Sequence, residues 1–161
     1  MAIAKEEKAL NLTTKAETVN WPETHYVFIE KVGPFMDTAP RAWEELHAKM
    51  AAIKENNTVE KYFSLYKVEP QVYRAGVSTK DAPVKLPDGL RYEKFPGGKY
   101  AKYVFTGPYT RLGEASGHAF ELATEQKLPI REGFNIENYV NNPKETPEDQ
   151  LITEIMFPLE N

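Results

Sequence analysis

The sequence predicts an α+β fold: two βαββ pseudo-repeats forming one antiparallel sheet, with two helices on one face and a cleft between the repeats. Three observations carry this. The chain of 161 residues is 41% hydrophobic and 12% aromatic, enough to bury one core. Two segments, HYVFIEKVGPFMDTAPRAWEELHAKM and KYAKYVFTGPYTRLGEASGHAFELATEQ, share a layout. Gly33-Pro34-Phe35 matches Gly107-Pro108-Tyr109 at an offset of 74 (107 − 33), and Tyr26 matches Tyr100 at the same offset. Tyr66 to Pro70 then matches Tyr139 to Pro143 at 73 (139 − 66), so one residue slips between the halves.

The first repeat, about 23–80, begins with a strand from His25 to Val32, rich in β-branched and aromatic residues. Gly33-Pro34 stops it, because proline cannot continue a ladder. The first helix is expected from Asp37 or Thr38 as N-cap, with Pro40 in its first turn. Ala39, Ala42, Trp43, Leu46, Met50 and Ile53 trace its apolar face, and Asn56-Asn57 ends it. Strands near Tyr62 to Val68 and Val72 to Ser78 complete the unit.

The second repeat, about 90–160, follows a proline-bearing loop, STKDAPVKLPDG. LRYEKF and KYAKYVFT flank Pro96-Gly97-Gly98 and read as a hairpin. A second helix is expected over Arg111 to Gln126, then strands from Phe134 to Asn141 and Leu151 to Phe157. Neither half is large enough to hold much of a core alone, so the two pair edge to edge. Residues 21–161 are read as the domain and residues 1–20 as an N-terminal tail, with packing on the sheet left open.

Composition excludes several functions. The net charge of −4, without a basic stripe, argues against a nucleic-acid partner, which needs clustered Lys and Arg. The absence of cysteine excludes disulfides, thiolate metal sites and cysteine nucleophiles. Charges interrupt the N-terminal stretch and no long apolar run occurs, so no membrane association and a cytoplasmic location are expected. Pro96-Gly97-Gly98 leads into a strand, whereas a phosphate loop opens a helix. Glu44 and His47 have a metal-ligand spacing on the first helix, but only two helices are available and His118 is the one comparable residue on the other. Ser116 and His118, two apart on a helix, point in different directions and make no nucleophile–base pair. Neither metal nor cofactor is expected.

The stretch GFNIENYVNNP raises the functional question. Alternation puts Phe134, Ile136 and Val140 on one face and Asn135, Glu137, Tyr139 and Asn141 on the other. Those polar residues either meet water or line something. The repeat discriminates between them: Tyr66 recurs as Tyr139 and is open to an architectural reading, whereas offset 73 puts Ser64 where the second half has Glu137. The carboxylate is therefore specific to one half. Trp43 likewise stands where the second helix has Gly117. Gly113 and Gly117 either leave room for a ligand or let the helix approach the sheet. Trp21 is read most simply as a lid over the sheet edge, with an overhang of the cleft left open.

Gly97-Gly98-Lys99-Tyr100-Ala101, Gly107-Pro108-Tyr109, the Glu137-x-Tyr139-x-Asn141-x-Pro143 run, Thr146-Pro147-Glu148-Asp149 and a final Thr153-Glu154-Ile155 strand together resemble the GyrI-like small-molecule-binding domain, also called the AraC-type effector-binding domain. The resemblance spans about residues 23–160. It implies two βαββ repeats around a cleft that takes lipophilic, often cationic, compounds, with the motif glutamate, here Glu137, pairing with the ligand charge. No helix-turn-helix pattern precedes residue 23, so a stand-alone binder is expected.

Three readings follow. The first is a binder of a hydrophobic ligand, cationic or neutral, with Glu137 as charge partner, Tyr139, Tyr100, Tyr66 and Trp43 as walls, and Asn135 beside them. The second, implied by hydrolases that resemble this family, is hydrolysis of electrophilic cyclopropane-type natural products, with Glu137 as general base and Tyr139 as proton donor. The third is a protein-binding inhibitor resembling gyrase inhibitors, for which an exposed apolar patch is the expected sign; the sequence shows no obvious one.

Overall fold

The computed structural model describes residues 9–161. Its elements are β1 Glu17–Trp21, β2 Thr24–Val32, α1 Phe35–Asn56, β3 Val59–Lys67, β4 Val72–Thr79, β5 Arg91–Phe95, β6 Gly98–Thr106, α2 Leu112–Glu125, β7 Asn135–Tyr139 and β8 Ile152–Pro158. The strands form one antiparallel sheet of eight, ordered β1-β6-β8-β7-β3-β4-β2-β5. From the middle pair outward, β3-β4-β2-β5 mirrors β7-β8-β6-β1, the order that two βαββ units would give with one further strand at each edge.

Cross-strand register shows what the two faces hold. Ile29, Ala75, Ser64, Glu137, Ile155 and Tyr103 are successive partners across six strands and so share one face. Both helices lie on that face. The α1 residues Ala42, Leu46, Met50 and Ile53 pack on Val27, Ile29, Ala75 and Val77. The α2 residues Leu112, Ala115, Ala119 and Ala123 pack on Tyr103, Phe105, Ile155 and Phe157. The sheet buries a separate aromatic cluster on its other side, around Trp21, Tyr26, Phe28, Phe63, Phe95 and Tyr100. There Arg74 lies over the rings of Phe28 and Phe134, at 4.3 and 4.4 Å from their centroids, and pairs with Glu30 and Glu93.

Four expectations need correction. First, β5 and β6 are not a hairpin. Pro96-Gly97 carries the chain between strands that pair elsewhere: β5 with β2, and β6 with β1 and β8. The sheet curls until its ends meet, and β1 and β2 make the same exchange through Pro22-Glu23. Trp21-Pro22 and Phe95-Pro96 stand at offset 74, so the repeat reaches one strand further back than residue 23. Second, residues 9–20 are no tail: β1 pairs with β6, and Leu10, Leu12 and Ala16 pack against the α2 core. Residues 1–8 lie outside the described residues. Third, Trp21 is no lid, being buried edge-on against Phe63 at 5.0 Å between centroids. Fourth, α1 begins at Phe35, two residues before the expected cap. The backbone N–H groups of Asp37 and Thr38 both donate to the Pro34 carbonyl, and Phe35 lies against Tyr66 and Tyr73, which draws the helix start onto the sheet. Pro40 therefore falls inside the helix.

Candidate functional site

α1 covers β2 and β4 while α2 covers β6 and β8, so the two middle strands, β3 and β7, lie open between the helices. The opening is a cleft of about 2140 Å³. Tyr62, Tyr66, Tyr73, Asn135, Glu137 and Tyr139 are on its floor; Phe35, Ala39 and Trp43 on the α1 wall; Tyr109, Gly113, Ser116, Gly117 and Phe120 on the α2 wall. It exceeds the usual volume of a small-molecule pocket, roughly 300–1,000 Å³.

Glu137 sits in the middle of this floor. Its register partner on β3 is Ser64 and on β8 is Ile155. The residue is only 8% exposed, and burial pushes its carboxyl above the usual carboxylate range. Two hydroxyls act against that shift by donating to the carboxylate: Ser116 Oγ to Oε2 at 2.8 Å and Tyr139 Oη to Oε1 at 3.2 Å. Among the described residues, no basic side chain contributes to holding it. A buried carboxylate served by hydroxyls alone is an unneutralised negative charge.

The hydroxyls continue away from it. Tyr139 Oη lies 2.7 Å from Ser64 Oγ and 3.4 Å from Tyr73 Oη, and Trp43 Nε1 donates to Tyr73 Oη at 2.7 Å. An indole N–H can only donate, and each hydroxyl carries one proton. Once Tyr139 donates to the carboxylate, both Ser64 and Tyr73 must donate to Tyr139. The chain then runs one way, from Trp43 through Tyr73 and Tyr139 to Glu137. Burial and the neighbouring Glu137 charge raise the tyrosines' pKa values, that of Tyr73 to about 12 and those of Tyr66 and Tyr139 well above the ordinary value, so their protons stay in place. The ring of Tyr139 is held edge-to-face by Trp43 at 5.3 Å and by Tyr109 at 5.5 Å, one from each helix wall.

The site residues read from the sequence divide in a clear way. Glu137, Tyr139, Tyr66, Asn135 and Trp43 all line the cleft. Tyr100 does not. It is wholly buried on the opposite side of the sheet beside Phe134, to whose carbonyl its hydroxyl donates at 3.3 Å. Like its counterpart Tyr26 it faces away from the helices, so its recurrence marks a shared packing position. Sequence reasoning overlooked Ser64, Tyr73 and Ser116 as members of the network. Strand alternation through Tyr73, Ala75 and Val77 could have identified Tyr73, and the i, i+4 spacing of Leu112 and Ser116 could have turned Ser116 toward the sheet. Gly113 and Gly117 answer the question posed of them: a Cβ built on either meets nothing within 4 Å, so they leave open space and do not serve close packing. Met36, Val68, Phe120 and Val140 are exposed along the cleft and give it apolar lips that the sequence did not reveal.

The family model of the GyrI-like small molecule binding domain matches residues 14–160. The chain belongs to that family. This GyrI-like domain is similar to several solved structures. Against the EcmrR C-terminal domain the TM-score is 0.76 at 16% identity, over 91% of this chain and 98% of that one. SAV2435 bound to tetraphenylphosphonium gives a TM-score of 0.68 at 12% identity, over 91% and 94%. A hydrolase from Listeria innocua gives 0.61 at 13% identity, over 91% and 92%. At these identities the likeness is one of fold. No curated protein matches the chain.

Proposed function

We propose that this GyrI-like domain binds a hydrophobic organic cation in the cleft between its helices, with Glu137 as the charge partner. The observation that carries the reading is a carboxylate buried at the centre of an aromatic cleft and held, among the described residues, by hydroxyls alone. A cation entering the cleft supplies the charge that the protein leaves out. The faces of Trp43, Tyr66 and Tyr139 add cation–π attraction of roughly 0.5–2 kcal/mol each where water is excluded. The tetraphenylphosphonium bound by SAV2435 belongs to this chemical class. Calorimetric titration with tetraphenylphosphonium tests it. The expected result is saturable binding that weakens at least about tenfold in Glu137→Gln, a loss of about 1.4 kcal/mol. Equal affinity in the two proteins would remove Glu137 from the site.

A second reading draws on the same pair. A carboxylate pushed up by burial, with the Tyr139 hydroxyl 3.2 Å away, has the parts of a general base and a proton donor for opening an electrophilic ring. Turnover separates this from binding: cyclopropane-bearing electrophiles consumed catalytically by the wild type, and not by Glu137→Gln, support it. Unchanged substrate after prolonged incubation with the wild type excludes it for those compounds.

A further inference from the structure

We infer that the cleft selects a singly charged cation bearing no hydrogen-bond donor of its own, a quaternary ammonium or phosphonium rather than a protonated amine, and that Ser116 and Tyr139 set this preference. The inference rests on the binding role of Glu137 proposed above and narrows its ligand class.

The first ground is occupancy. Each carboxylate oxygen already accepts a hydroxyl, Oε2 from Ser116 and Oε1 from Tyr139. The Tyr139 proton cannot readily turn elsewhere. Tyr139 receives Ser64 and Tyr73, and Tyr73 is fixed in turn by the Trp43 indole N–H, which has no acceptor function. The donor chain is therefore locked toward Glu137 from a residue on α1. An amine cation must leave its water partners and then compete for the remaining acceptor site of a carboxylate that is buried and already has a donor on each oxygen, so its N–H regains less than it loses. A donor-free cation has no such bonds to lose. It needs only the charge and the aromatic faces around it.

The second ground is valence. Ser64, the register partner of Glu137, occupies the position that corresponds to it in the other half of the chain, so the middle of the cleft carries one negative charge where a symmetric pair would carry two. The third ground is shape. Trp43 lines the cleft on the α1 side, while Gly113 and Gly117 leave open space on the α2 side. A cation with one ring beside Trp43 has room for its other substituents above those glycines.

The test uses a matched pair differing by one methyl for one proton: biphenylmethyl-trimethylammonium and protonated biphenylmethyl-dimethylamine. Affinities for both are measured on the whole protein, at a pH where both are cations. The wild type is expected to favour the trimethylammonium by roughly tenfold, the worth of one hydrogen bond to a charged group. Ser116→Ala, a helix-compatible change, frees Oε2 and is expected to bring the two affinities to near parity. Tyr139→Phe is expected to act in the same direction through Oε1. A role in folding alone would weaken both cations together and leave their ratio unmoved. If both bind through Glu137 and the ratio is the same in wild type and Ser116→Ala, the selectivity inference is overturned while the binding reading stands. If neither binds, both fall.

Discussion

Ser64 and Glu137 face each other as register partners across β3 and β7, and they are 73 residues apart, the offset that relates the two halves at these strands. The neighbouring pairs obey the same relation. Tyr62 opposes Tyr139 and Tyr66 opposes Asn135, so exchanging the halves turns one pair into the other. The middle of the cleft is thus a point of near twofold symmetry at which the two sequences differ by one carboxylate. Ser64 has no exposed surface, so a second charge placed there would meet the first without water between them. Ser64→Glu is expected to cost about 3 kcal/mol or more at neutral pH, the scale for an uncompensated buried charge. Burial and like charge both raise the new group's folded-state pKa. Its penalty should therefore be absent in acid, where it is protonated, and grow as pH rises through the carboxylate range. Urea unfolding at several pH values would show this; a pH-independent loss would mean steric misfit instead.

Glu137 makes a milder prediction of the same sign in the native protein. Burial holds its folded-state pKa above 4.5, so the folded state binds the proton more tightly than the unfolded chain. Its contribution to stability is fully present below the ordinary carboxylate value and is lost as pH rises through the folded value. Glu137→Gln removes this dependence. Melting temperatures followed from about pH 3 to 8 should show the variant gaining on the wild type with rising pH. A gap of constant size across that range would mean that the carboxylate is solvated in the folded state.

Gly117 lies where the first half has Trp43, and the space above it is empty. Gly117→Ala should stabilise α2 by about 0.8–1 kcal/mol, since it meets no neighbour and only limits the unfolded chain. Gly117→Trp would mirror Trp43 and close the α2 side of the cleft. The expected outcome is a fold preserved by circular dichroism with sharply weaker binding of tetraphenylphosphonium. Undiminished binding in the tryptophan variant would place the ligand elsewhere in the cleft.

What the sequence revealed and what it hid follow the range of the interactions involved. Helix and strand periods are local, and so both helices, the strands of each repeat and the shared face of Asn135, Glu137 and Tyr139 were legible. The false hairpin arose because Pro96-Gly97-Gly98 has the composition of a tight turn, while the partner of β5 is β2, more than sixty residues earlier in the chain. Alternation grouped Glu137 with the polar face of its strand and, by convention, that face looks to water. Here it looks toward the helices, because α1 and α2 stand apart over the middle strands. Tyr100 was misplaced for a related reason: recurrence in both halves identifies a shared position without saying which side of the sheet it occupies. Ser116 and Tyr73 carry no motif, and only the assembled cleft brings their hydroxyls to the Glu137 network.

The curl that separates the helices depends on Gly97, which joins β5 to β6 where the two ends of the sheet meet. Its φ of +71° lies in a region that a few other residues enter at a cost of about 1 kcal/mol. The space around it is less forgiving. A Cβ would stand 2.1 Å from the Trp21 carbonyl oxygen and 2.8 Å from that of Pro22, both backbone atoms in the matching join between β1 and β2. Neither can rotate away, as a side chain could. Gly97→Ala is therefore expected to cost about 3 kcal/mol or more, combining backbone strain with the separation of two chain crossings. Gly97→Asn should give no rescue, although asparagine tolerates the conformation, because it carries the same Cβ. The measurement is the urea midpoint at unchanged slope. If both variants lose only about 1 kcal/mol, the joins slide past one another easily and the curl is held by the aromatic cluster of Trp21, Phe63 and Phe95 instead.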